Sequence, residues 1–219
     1  MKNSLKIKVI SFGGAGTNMI NRIIETTDNK NIDYISISTS REELNFSNAN
    51  SKLLIGEKVT KGLGTYCNVE LGIEAFKESE KEIKDYLQKD LENVNVVFLV
   101  SSLGGGTGAG VTPSVSEMIN KMGIVTIGVV SLPFIFEGQK KNDISKKEQK
   151  ELSKNVDLLL ISNSNNLFLK EVKDLFQSFK DLDDSVRQDV QEVANSLFSY
   201  DFEYLSYDNL KKFVQNNIV

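Results

Sequence analysis

Residues 101–110 read Ser101-Ser102-Leu103-Gly104-Gly105-Gly106-Thr107-Gly108-Ala109-Gly110, with five glycines in the seven positions from Gly104 to Gly110. The run follows Val94–Val100 (VNVVFLV), a continuous apolar stretch of the kind expected for a parallel strand covered on both faces. A helix is predicted after it, as far as Met122. Glycine loses more backbone freedom on folding than any other residue, so a run this dense demands a reason. Successive N–H groups that curl into a concavity at a helix N-terminus bind anions, and glycine permits that curl.

A second loop has the same setting. Ser11-Phe12-Gly13-Gly14-Ala15-Gly16-Thr17-Asn18 follows a strand-like run, Leu5–Ser11, and opens a helix predicted from about Asn18 to Thr27. Alone it reads either as a tight turn or as a phosphate loop. Two such loops on one sheet edge suggest a multiply charged phosphate chain. Neither carries the lysine of a Walker loop. In the dinucleotide fingerprint the third glycine falls on Met19, and the next strand, Tyr34–Ser38, runs into Thr39-Ser40 where an acid is required. A nicotinamide dinucleotide is therefore not expected.

Further strands are predicted at Ile124–Val130 and Val156–Ile161. Helices are predicted at Asn68–Leu91, Lys140–Lys154, Leu167–Phe179, Asp184–Phe198 and Asp208–Val214. Strand-helix alternation with glycine turns gives an α/β fold: an open, mostly parallel Rossmann-like sheet with helices on both faces. The chain has 219 residues, 26 Lys plus Arg against 30 Asp plus Glu, and a formal charge of −4. That balance argues against a nucleic-acid partner. Histidine is absent, which excludes His-dependent triads and His-ligated zinc. Cys67 is the single cysteine, so no internal disulfide forms. No run approaches the ~20 apolar residues of a membrane helix, and Met1–Lys8 lacks a signal peptide's apolar core. A cytoplasmic protein without an integral membrane segment is expected.

At the second glycine loop a resemblance emerges. Gly104–Gly110 is similar to the GGGTG[ST]G signature of the FtsZ/tubulin family, with Ala109 in place of the last hydroxyl. The match continues in order along the chain. Lys61-Gly62-Leu63-Gly64-Thr65-Tyr66-Cys67-Asn68 resembles the family's third loop, and Pro133-Phe134-Ile135-Phe136-Glu137-Gly138 its PF-x-FEG segment. Leu152–Asp157 and Val186–Gln191 resemble the stretch before the sixth loop and the central helix. The resemblance implies a GTP-binding domain at 1–180, a central helix at 181–200 and a short loop and helix at 201–219. The family's second domain and its tail lie outside this sequence.

The resemblance also implies residue roles. Gly13, Gly14 and Gly16 would back the α- and β-phosphates of GTP or GDP, and Asn18 would reach the guanine or ribose edge. Gly64 and Thr65 would close on the γ-phosphate, while Gly105, Gly106, Thr107 and Gly108 cradle the phosphates. Pro133 and Glu137 would meet the ribose, with Lys141 close by. Phe179 would stack on guanine and Asp184 accept its N1–H and N2–H donors. By themselves Phe179 reads as a core aromatic and Asp184 as a helix N-cap. Mg2+ is expected wherever a triphosphate binds, although no dedicated protein ligand stands out.

Three departures from the family pattern bear on chemistry. Ser38-Thr39-Ser40 replaces Asn-Thr-Asp, losing an acid near the phosphates. Ser164, flanked by Asn163 and Asn165, replaces the sixth loop's asparagine. Tyr204, Ser206 and Asn209 replace the acids and amides of the loop that enters a neighbouring subunit's site. Asp208 is the nearest substitute catalytic acid, with Asp201 and Glu203 alongside; these residues read equally well as solvated charges. Lys140, Lys141, Lys146, Lys147 and Lys150 form a basic run, read as a solvated face paired with Glu148 and Glu151 or as an anion-binding surface. Cys67 reads as a small filler. Leu210, Phe213, Val214 and Ile218 form a stripe that reads as a cap on the core or as an exposed partner surface, with core capping expected.

Three functions follow. One is a guanine-nucleotide-binding module of cytoskeletal or cell-division type with weak or absent hydrolysis alone, associating with itself or with a similar protein. Another is a self-assembling GTPase completed between subunits. The third is a non-catalytic binding module for another phosphate ligand.

Overall fold

The computed structural model describes residues 4–27, 31–163 and 174–218. Six strands, β1 (Ile7–Phe12), β2 (Ile32–Ser38), β3 (Ser51–Leu54), β4 (Val96–Ser102), β5 (Val125–Ser131) and β6 (Leu158–Ser162), form one sheet in the order β3-β2-β1-β4-β5-β6. Every pairing is parallel. The order reverses between β1 and β4, so the loops leaving these two strands diverge and open a crevice at their carboxyl ends.

The helices are α1 (Gly13–Ile24), α2 (Arg41–Phe46), α3 (Glu57–Thr60), α4 (Val69–Asp90), α5 (Gly106–Lys121), α6 (Gln139–Leu152), α7 (Leu175–Ser199) and α8 (Tyr207–Asn217). A 3-10 turn covers Ile135–Glu137. On one face of the sheet, Met19, Ile20 and Ile23 of α1 meet Val186, Val190 and Leu197 of α7 and Leu210 and Phe213 of α8. On the other, Phe76, Ile83 and Leu87 of α4 meet Val111, Val115 and Ile119 of α5. With both faces covered, adjacent strand residues such as Val9 and Ile10 are both fully buried. This is why β4 and β5 read as unbroken apolar runs. Between α4 and α5 the spacing is set by Gly72 and Gly110: a Cβ on Gly72 would lie 2.3 Å from the Gly106 carbonyl oxygen.

Several elements differ from the sequence expectation. α1 begins at Gly13 rather than Asn18, because the glycines form its first turn. The expected break before Asp184 is absent. α7 runs unbroken through it, with Ser178, Leu182, Val186 and Val190 buried as one stripe. Asp174, not Asp184, caps the helix by accepting from the Gln177 N–H at 2.7 Å. The part of the predicted helix at 167–173 lies outside the described residues, as do Ser164 and Asn165. The terminal stripe does cap the core: Leu210 and Val214 are buried, with Ile218 packed against them. Glu148 is not part of a solvated face. It is only 6% exposed, on a stripe of α6 shared with Ser145 and Leu152. Among the described residues, no helix is long and apolar enough to cross a membrane.

Candidate functional site

The cleft forms where α1 and α5 point their first turns at each other. Neither helix has a capping side chain at its N-terminus, whereas Asn68, Asp174 and Ser206 cap α4, α7 and α8. The first N–H groups of α1 and α5 are thus left without an intrahelical or side-chain acceptor, on the positive end of each helix. Gly13 and Gly14 from one loop and Gly105–Gly108 from the other line a cleft of about 380 Å³, closed by Gly64, Thr65 and Lys141.

Close packing explains the glycines. Gly13, at φ +68°, places its ideal Cβ position 3.1 Å from Thr107 Cβ, so the two loops touch. Gly16 turns away from the cleft and lies over β4: a Cβ there would be 3.0 Å from the Val100 carbonyl oxygen. Thr107 ties three segments together. Its hydroxyl lies 2.7 Å from that of Thr39, after β2, and 3.3 Å from that of Thr65, in the third loop. The Gly64 N–H also donates to the Thr39 carbonyl at 3.0 Å.

The acid expected to be missing from the loop after β2 is supplied by Glu43. Its carboxylate accepts from the Ser38 hydroxyl, and a Cβ on Gly14 would lie 2.6 Å from Glu43 Oε1. Ser40 caps α2 by accepting from the Glu43 N–H, which sets Glu43 in the first turn of that helix. Glu42 also borders the cleft. Mg2+ is usually held by one or two carboxylates plus phosphate oxygens, and this pair fits that habit. No group of three or more metal-ligating side chains exists among the described residues. Cys67 is exposed rather than a filler, at the cleft rim with φ +60°.

Toward the other end of α1, the exposed residues Ala15, Asn18 and Arg22 form a line leading from the cleft to α7. Arg22 donates to Asp184 at 2.8 and 3.1 Å, and Arg187 donates to it at 3.0 Å. These cations hold the Asp184 carboxyl below its ordinary range. Asp184 is thus committed to arginines. Phe179 lies a turn and a half away and meets Phe134 edge-on, with ring centroids 5.1 Å apart. One turn from Phe179 stands Asp183, which sequence reasoning passed over. Burial, with the charge of Asp184 added, pushes its carboxyl up to about 7. Glu137 accepts from the Phe134 N–H at 2.8 Å and pairs with Lys141; Pro133 is buried beside it.

Asp208 is remote from this cleft. It is exposed in the first turn of α8. Tyr207 and Lys211 of that helix bond Asp157 just before β6, at the amino end of the sheet. A cavity of about 600 Å³ at the same end is lined by Leu5, Asn31, Leu197, Phe198 and residues 200–206.

The sequence pattern of the GTPase domain of the tubulin/FtsZ family matches residues 6–171. The chain belongs to the tubulin/FtsZ family. It is 32% identical to an empty FtsZ dimer from M. jannaschii, with a TM-score of 0.86, over 98% of this chain and 61% of that one. A protofilament of CetZ2 from Haloferax volcanii with bound GTPγS matches at 20% identity and a TM-score of 0.76, covering 89% of this chain and 64% of that one. CetZ1 from the same organism, as a GDP-bound monomer, matches at 22% and 0.76, covering 90% and 65%. The two CetZ likenesses concern the fold. The chain spans less than two thirds of the length of each of these structures, and what it shares with FtsZ is the GTPase-domain fold, with its wholly parallel sheet.

Proposed function

We propose that this chain is a guanine-nucleotide-binding domain of the cytoskeletal type. The observation that carries this reading is the meeting of two uncapped, glycine-built helix N-termini, held by Thr107, at the switch point of the sheet. Phosphates would lie on the N–H groups of Gly13, Gly14 and Gly105–Gly108, with Gly16 shaping the loop and Gly64 and Thr65 closing over the terminal phosphate. Lys141 supplies a cation. Asn18 lies on the path from phosphate to base, and Pro133 and Glu137 border the ribose. Phe179 stacks on the base. The acceptor for guanine's two N–H donors is Asp183, one turn from Phe179, while Asp184 keeps Arg22 and Arg187 in place. Where Mg2+ accompanies a triphosphate, Glu42 and Glu43 are the carboxylates that would help hold it, and it would supply charge neutralisation at the phosphates.

Hydrolysis by an isolated chain would be weak, because Asp208 sits at the opposite end of the sheet from the cleft. That same placement favours a second reading. In a head-to-tail stack the amino end of one subunit faces the carboxyl end of the next, and Asp208 would approach the neighbour's phosphates. Phosphate release from GTP across a wide range of protein concentration separates the two. A rate per subunit that rises with concentration and falls in Asp208→Ala supports completion between subunits; a flat, near-zero rate supports a binding module.

A further inference from the structure

Glu148 is an acid buried behind the phosphate-side loop with half of its carboxyl unused. Its Oε2 accepts from the Gly104 N–H at 2.8 Å. Its Oε1 is buried without a hydrogen-bond partner, and the residue is 6% exposed. The neighbouring packing is apolar, built from Leu103, Val130 and Leu152. The same helix also approaches the glycine closely through its first turn. Gly104 has φ +82°, and a Cβ there would lie 2.8 Å from the Lys141 carbonyl oxygen. One face of α6 therefore presents Lys141 to the cleft and Glu148 to the back of the loop, two turns apart.

Among the described residues no cation pairs with this carboxyl. Glu137 and Lys141 at the head of α6 pair with each other, as do Glu117 and Lys121 at the end of α5. On α6 itself Lys146, Lys147, Lys150 and Glu151 are exposed. Burial dominates, and the Gly104 N–H only partly opposes it, so the carboxyl rises to about 7. An ionised oxygen without a partner in an apolar setting is costly, and the neutral acid is far less so.

We propose that Glu148 is a proton-linked positioning residue for the phosphate loop: it fixes Gly104, and arrival of the nucleotide's phosphate chain draws a solvent proton onto its carboxyl. The inference rests on the nucleotide reading above. The loop from Gly105 to Gly108 lines the cleft directly beyond Gly104. A phosphate anion there disfavours a second negative charge behind the loop.

The test is calorimetric titration of the 219-residue chain with GDP, in buffers of different ionisation enthalpy at pH 7.5, for wild type and Glu148→Gln. The amide keeps an acceptor for Gly104 and removes the titration. Asp183 also titrates near neutrality and would release a proton on meeting guanine, so the quantity read is the difference between the two proteins. Wild type should take up more protons than E148Q, by up to one per nucleotide. Its GDP affinity should fall between pH 7 and 8.5 more steeply than that of E148Q, by up to about tenfold per pH unit. Glu148→Ala, which leaves the Gly104 N–H unpaired, should bind more weakly than E148Q at every pH. Equal proton counts and equal slopes in wild type and E148Q, with GDP bound, would overturn the role of Glu148 alone. Absence of GDP binding by wild type at any pH would overturn the nucleotide reading and this inference with it.

Discussion

Thr107 Oγ1 lies 2.7 Å from Thr39 Oγ1, a buried hydrogen bond between the head of α5 and the loop after β2. Thr39 is fully buried and Thr107 nearly so, so the Thr39 hydroxyl depends on this partner. The bond makes the cleft a joint property of separate loops rather than of one glycine run.

Thr107→Val keeps the shape and removes the hydroxyl. Thr39 then loses its partner, and a buried unpaired polar group costs about 1–3 kcal/mol. Chemical denaturation should show a loss of that size, and GDP binding should weaken with it. A variant as stable as wild type would mean that the bond does not hold the loops.

Gly106 and Gly105 make a matched pair. A Cβ on Gly106 would lie 2.2 Å from Thr65 Oγ1 and 2.8 Å from backbone atoms of Asn68, whereas on Gly105 it meets nothing nearer than 3.7 Å. Gly106→Ala should therefore push the third loop outward and destabilise the fold by about 1–3 kcal/mol. Gly105→Ala should stay within about 0.5 kcal/mol of wild type. Thermal denaturation of the two variants side by side decides the point.

The adjacent acids on α7 should separate function from stability. Asp183→Ala is expected to abolish the preference for GTP over ATP in competition binding. Asp184→Ala should keep that preference and lose about 1 kcal/mol, as its pair with the half-exposed Arg22 is partly screened. The reverse pattern would return the base-reading role to Asp184.

Stability of the nucleotide-free chain should fall as pH rises. Burial raises Glu148 and Asp183 to about 7 from ordinary carboxylate values near 4. Between those limits the folded chain binds more protons than the unfolded one, so unfolding is favoured as protons are withdrawn. Asp184 acts oppositely, losing its stabilisation only as pH drops below the usual carboxylate range. The urea midpoint should be higher at pH 5.5 than at pH 8, and the gap should shrink in the Asp183→Asn/Glu148→Gln double variant.

Much of this was readable in the sequence for physical reasons. Strands buried on two faces are apolar along most of their length, with only small polar residues such as Ser101 and Thr126 among them, which made β4 and β5 visible, and charges at helical spacing marked α4. The glycine loops announced the cleft because close approach of neighbouring atoms leaves no room for a Cβ at positions such as Gly16, Gly106 and Gly108. Hidden features had other causes. β3 is four residues long, too short for a period of two to register. Glu148 occupies a core-facing position beside Ser145 and Leu152, and a polar stripe hides which face is inward. Asp183 did not stand out as a candidate beside Asp184: the two differ by a rotation of 100° about α7, and only the continuity of that helix sets Asp183 one turn from Phe179. Glu43 entered the site through the capping of α2, a local motif whose tertiary consequence no spacing reveals.

The cleft is proposed to select guanine nucleotides. Equilibrium titration of the 219-residue chain with a fluorescent GDP analogue, competed by unlabelled GDP and ADP, tests it most directly. Saturable binding of one nucleotide per chain is expected, with GDP displacing the probe at a concentration at least about tenfold below that of ADP, the worth of one or two base-edge hydrogen bonds. Equal displacement by ADP, or no binding, would contradict it.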